Sequence, residues 1–82
     1  MDILKTIISA IALSLSKPEA DIKKESNLVT DLKLDELDME EIHLAIEDAV
    51  GVTIVDADFE KFNTIDDIFS YVTLKLKPES GH

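Results

Sequence analysis

The chain has 82 residues, 45% of them hydrophobic and 32% charged, with 18 Asp and Glu against 8 Lys and a net charge of −10. That length allows one small domain, whose modest core must use nearly every apolar side chain. Such acidity argues against nucleic acid and anionic lipid surfaces, which are bound through Lys and Arg, and favours partners with basic patches. Cysteine is absent, which rules out disulfides, thiolate metal sites and thiol nucleophiles.

Ile3, Leu4, Ile7, Ile8, Ile11 and Leu15 recur at spacings of three and four, which predicts a helix over about residues 2–16. Lys17-Pro18 is expected to stop it, because a residue before proline avoids the helical region. The apolar run from Ile7 to Leu15 is too short and too serine-interrupted to span a bilayer. Met1 leads into Asp2 and this helix without a basic region, so no secretory signal is expected and a cytoplasmic protein is the default. Residues 17–35 show no sustained period. They read as a long ordered loop pinned by Ile22, Leu28, Val29, Leu32 and Leu34.

A second helix is expected from Asp35 or Glu36 to Val50. Asp35 and Asp38 form a capping-box-like pair, and Gly51 provides the stop. Val52-Thr53-Ile54-Val55 has strand propensity but no strand to pair with, so it reads as an extended linker. Asp56 or Asp58 opens a short third helix through about Phe62. Thr64 with Asp67 signals a fourth, lined by Ile65, Ile68, Phe69, Val72 and Leu76. Lys75 and Lys77 suit its C-terminal dipole, and residues 78–82 read as a frayed tail. The expected fold class is therefore all-α: a small four-helix bundle over residues 1–77, with a short third helix and a long loop between the first two.

At 100° per residue, Met39, Ile42, Ala45, Ile46, Ala49 and Val50 of the second helix face the core. Glu36, Glu40, Glu47 and Asp48 lie opposite, with Glu41 at their flank and Leu44 in their midst. Leu37, one heptad earlier, is expected to tuck under the loop. An exposed leucine ringed by carboxylates suits an anchor with a charged rim for a basic partner. His43 falls at the border of core and surface and reads as structural. Asp31 and Asp35 resemble the start of a calcium loop, but Glu36 replaces the required glycine and Ile42 the closing glutamate. No His and Cys cluster, His–Asp-supported serine or glycine-rich phosphate loop supports a metal site or an enzyme.

The ordered set Ser26-Asn27-Leu28-Val29-Thr30-Asp31-Leu32, Asp35-Glu36-Leu37-Asp38, the acidic second helix, Val52-Thr53-Ile54 before Asp56, and Glu60-Lys61-Phe62-Asn63-Thr64-Ile65 resembles the acyl carrier protein family from about Ile3 to Leu76. The resemblance implies a four-helix bundle of fatty-acid or polyketide-type acyl metabolism. In that family a serine in Asp-Ser-Leu carries 4'-phosphopantetheine, and enzymes dock basic surfaces on the second helix. Carried over, the partner-binding positions are Asp35, Asp38, Glu40, Glu41, Leu44, Glu47 and Asp48. Glu40 and His43 depart from apolar residues common in the family. Glu36 stands where the family has its attachment serine. A phosphodiester needs a hydroxyl nucleophile, so no cofactor is expected on the chain as sequenced.

The resemblance and the lost hydroxyl together imply a monomeric binding or regulatory relative of the carriers, docking acyl-processing enzymes or regulators with basic patches, and not an enzyme. One alternative is an ordinary carrier whose serine was replaced by design. Another, from a different class, is an acidic bundle that binds divalent ions.

Overall fold

The computed structural model describes residues 2–76, so the expected domain end at 77 and the tail at 78–82 lie outside the described residues. Helix α1 spans Ile3–Leu15, and a single 3-10 turn follows at Glu19–Asp21. Helix α2 spans Glu36–Val50, α3 Asp56–Phe59 and α4 Ile65–Leu76. The fold is the expected four-helix bundle. α1 packs chiefly against α2 and, less extensively, against α4.

Each long helix begins where a short polar side chain can satisfy free backbone amides. The Asp2 carboxylate accepts from Lys5 N–H at 3.1 Å. Asp35 accepts from Asp38 N–H at 2.8 Å and Asp38 from Asp35 N–H at 3.3 Å, a complete capping box. Thr64 Oγ1 accepts from Asp67 N–H at 3.2 Å, and Asp67 returns the bond to Thr64 N–H at 3.0 Å. At the far end of α2, Gly51 takes φ 71°, the left-handed turn that ends the helix.

Two expectations about element ends need correction. Pro18 does not end α1. Ser16 already turns left-handed at φ 55°, and the Ser16 and Lys17 amides bond back to the Leu13 and Ala12 carbonyls. α3 stops at Phe59 rather than Phe62, because Lys61 and Phe62 donate to carbonyls three residues back instead of four. It opens at Asp56, as expected, with Val55 in the cap position.

The core is aliphatic. Ile7, Ile11, Ile42, Ile46, Ile65, Ile68 and Val72 are fully buried from three helices, joined by Leu28 from the loop and Ile54 from the linker. Each such side chain contributes roughly 1.5–3 kcal/mol by leaving water, so the loop and linker residues matter as much as the helical ones. Ala49, expected in the core, is exposed at the seam beside Ala10 and Leu13 of α1.

The long loop is ordered because it pairs with the approach to α4. Leu28 N–H donates to Asn63 at 2.8 Å, Ile65 N–H to Ser26 at 3.1 Å and Asp66 N–H to Lys24 at 2.8 Å. Ile22, Leu28, Leu32 and Leu34 pin it as expected, but Val29 is 63% exposed. The Asn27 side chain accepts from the Val29 and Thr30 amides, and the resulting turn points Val29 outward. Residues 52–55 are extended and unpaired as a strand, as expected for the linker.

α3 and α4 are tied by aromatic side chains. Phe59, Phe62 and Tyr71 meet edge to face at 5.5 and 5.4 Å, and Tyr71 O–H donates to the Asp58 carboxylate at 2.8 Å. That hydrogen bond, joined by burial and the Asp58 charge, raises the phenol above its ordinary value of 10.0. The fold therefore favours the neutral phenol, and the tie's contribution is lost as pH rises past the ordinary phenol range. Tyr71 is the only tyrosine, so an alkaline absorbance titration should show one transition, shifted upward and moved back down by Asp58→Asn. Gly51→Ala should cost about 1 kcal/mol in urea unfolding. No atom lies within 4 Å of the added Cβ, so that loss is the strain of the left-handed conformation alone.

Candidate functional site

α2 presents a core stripe and an acidic face. Ile42, Ile46 and Val50 are buried. On the outer side Glu36, Glu40, Glu41 and Asp48 are exposed and Leu44 is 68% exposed, as expected from helical spacing. Leu37 departs from expectation. It is 64% exposed rather than tucked under the loop, where Leu34 is buried instead. The outer face thus carries two open leucines two turns apart, with carboxylates around them.

Beside that face, α2 and α3 enclose a groove of about 600 Å³. Met39, Leu44, Phe59 and the His43 ring supply its less polar lining. Glu36, Glu40, Glu47, Asp56 and Glu60 supply five carboxylates, and among the described residues no Lys lines it. Of the residues anticipated from sequence, Glu36, Glu40, Leu44 and Glu47 come together here. Asp35, which caps α2, and Asp38, Glu41 and Asp48 of α2 lie outside the groove. The carboxylates of Asp35 and Asp38 are engaged in the capping box.

Glu47 is not the free surface carboxylate that helical spacing suggested. Its Oε2 accepts from Ile54 N–H at 2.7 Å. His43, one turn earlier, holds the other polar group of the same residue. Its Nε2–H donates to the Ile54 carbonyl at 2.8 Å. The His43 ring stacks on Phe59 at 4.3 Å with 5° between planes, and its side chain is 12% exposed. The structural role expected for His43 is therefore the observed one, with the added function of fixing the α2–α3 linker. The α3 residues of the groove, Asp56, Phe59 and Glu60, had no signal in the sequence beyond the charge and size of their own side chains.

The first turn of α2 holds Glu36, Leu37 and Asp38 behind the Asp35 cap, with no hydroxyl among them. Of the hydroxyls in the preceding loop, Ser26 is buried and accepts from Lys23 N–H at 2.9 Å, while Thr30 is exposed. The Asp31 carboxylate accepts from Asn27 N–H at 2.7 Å. Among the described residues there is no group of three or more His, Cys, Asp or Glu placed to hold a metal ion. Among those residues, too, no helix is long and apolar enough to cross a membrane.

A family model described as "Phosphopantetheine attachment site" matches residues 5–72. Three curated relatives are each named acyl carrier protein. The one from Thermotoga maritima is 36% identical over 75 residues, covering 92% of this chain and 93% of the relative. That from Helicobacter hepaticus is 31% identical over 72 residues, covering 88% and 95%. The Syntrophobacter fumaroxidans protein is 41% identical over 66 residues, covering 80% and 82%. By name these relatives are carriers rather than enzymes.

The two faces of α2 predict opposite costs. Glu47→Ala leaves the Ile54 amide without its acceptor and should cost about 1–2 kcal/mol in urea unfolding. Leu44→Ala should stay within about 0.5 kcal/mol, since Leu44 is already in water.

Proposed function

The chain belongs to the acyl carrier protein family, and we propose that it is a non-covalent member of it, a binding or regulatory module that docks partners through the acidic face of α2. The observation that carries this reading is the first turn of α2, where Asp35, Glu36, Leu37 and Asp38 offer no hydroxyl. Attachment of 4'-phosphopantetheine forms a phosphodiester, which requires one. A carboxylate at Glu36 would give a labile mixed anhydride, and its charge would repel the incoming pyrophosphate. The group therefore does not fit these residues, and no step is assigned to it. In this reading Glu36 occupies the position of the family's serine.

The docking face combines Leu44 with Glu40, Glu41 and Asp48, all exposed. A partner helix or loop carrying an apolar side chain between Lys or Arg residues complements it in shape and sign. Acyl-processing enzymes or their regulators, met in the cytoplasm by a monomer, are the partners proposed. Residues 1–77 form the proposed domain and 78–82 its tail. In the first turn Glu36 also gains from the helix dipole, by about 0.3–1 kcal/mol, so its presence costs the fold little.

Intact mass after incubation with coenzyme A and a broad-specificity phosphopantetheinyl transferase tests the reading on this protein and on Glu36→Ser. The expected outcome is a gain of the arm in Glu36→Ser alone. A gain in the unchanged protein would make it a covalent carrier and end the proposal. In the Glu36→Ser background, Leu44→Ala should slow arm transfer about tenfold at sub-saturating protein, the equivalent of about 1.4 kcal/mol of docking energy.

A further inference from the structure

α1 leaves its outer face bare. Leu13, in its last turn, is 84% exposed, the most of any large apolar side chain among the described residues. It stands between two shallow depressions. Thr6, Ser9, Ala10 and Ala49 line one with it, and Ser9, Ala12 and Ser16 the other. The Thr6 and Ser9 hydroxyls are already bonded, to the Asp2 carbonyl at 2.8 Å and the Glu19 carboxylate at 2.9 Å. Covering them strands no donor, so the face can be buried as an apolar one.

The same face is balanced in charge. Asp2 and Glu19 oppose Lys5 and Lys17 at its rims, in a chain whose net charge is −10. Asp2, Thr6, Ser9 and Leu13 follow one another at spacings of four, three and four, and Lys17 continues the stripe past the helix end. Turned end for end about the midpoint between Ser9 and Ala10, this stripe complements itself. Asp2 then meets Lys17, Thr6 meets Leu13 and Ser9 meets Ala10.

We propose that the outer face of α1 pairs with the same face of a second copy, antiparallel, with each Leu13 seated over the other copy's Thr6, Ser9 and Ala10. The small side chains at the midpoint let the two helices approach closely. A parallel pair would set Asp2 against Asp2 and Lys17 against Lys17, so charge selects the antiparallel one. These exposed ion pairs fix the register more than the strength. On α2, by contrast, the exposed Glu36, Glu40, Glu41 and Asp48 repel a like surface.

One 13-residue helix on another buries less than a stable dimer needs. The dilute chain therefore stays a monomer, and the pair forms reversibly as concentration rises. Leu44 lines neither depression, so each copy keeps its docking face and the pair presents two of them. That consequence rests on the docking reading, whereas the pairing stands without it.

Amide spectra of the unchanged protein between about 0.05 and about 2 mM, at fixed ionic strength, test the pairing. Shifts that grow with concentration are expected at Thr6, Ser9, Ala10, Leu13 and Ala49, half complete at about 1 mM. Leu13→Glu sets a carboxylate at an already exposed position and should abolish them with the rest of the spectrum unchanged. Lys17→Glu should weaken the pairing about threefold. Leu13→Ala removes apolar area without adding charge and should weaken it about fivefold; it decides the matter if Leu13→Glu does not fold. No concentration dependence over that range, shifts centred on the acidic face of α2, or an undiminished response in the Leu13 variants overturns the proposal. None of these substitutions touches the acidic face of α2, so the result is independent of docking there.

Discussion

The bundle depends on how it pairs one buried backbone residue. Ile54 is 2% exposed in an extended segment without a neighbouring strand, so its N–H and C=O must find partners elsewhere. α2 supplies both, from side chains one turn apart: Glu47 takes the amide and His43 the carbonyl. That double capture brings the linker alongside α2 and sets α3 where Phe59 can stack on His43. The groove and its five carboxylates exist because of this arrangement.

Charge works against the fold in one sense and with it in another. At −10 the chain repels itself, and α2 and α3 each concentrate acids. Helix starts absorb part of this burden. Glu36 and Asp38 sit in the first turn of α2, Asp56 and Asp58 in that of α3, and Asp66 and Asp67 in that of α4, all where the dipole favours anions. The remaining carboxylates on the outer face of α2 have no such use. They surround the exposed Leu44.

The chain matches the family over nearly its whole length, and the start of α2, Glu36 included, is built from carboxylates and a leucine. The scaffold and the acidic face do not depend on that position, since Glu36 is exposed and packs nothing in the core.

The features legible in the sequence were local. The Asp35–Asp38 box, the Thr64–Asp67 pair and the stop at Gly51 join groups within four residues, and residue type and spacing suffice to specify them. The buried stripes of α1, α2 and α4 follow from helical periodicity for the same reason, as does the outward position of Leu44. Tertiary contacts decided the rest. Val29 and Leu37 face water while Leu28 and Leu34 are buried, because a side-chain-bonded turn and the burial of Leu34 settle which apolar residues the loop spends on the core. Glu47 looks like a surface carboxylate on a helical wheel and is instead bound to a backbone amide seven residues on. His43 needed Ile54 and Phe59 around it before its ring had a carbonyl to bond and a face to stack on. Periodicity reports which side of its own helix a residue occupies. Only the packed bundle determines which distant backbone group will meet it there.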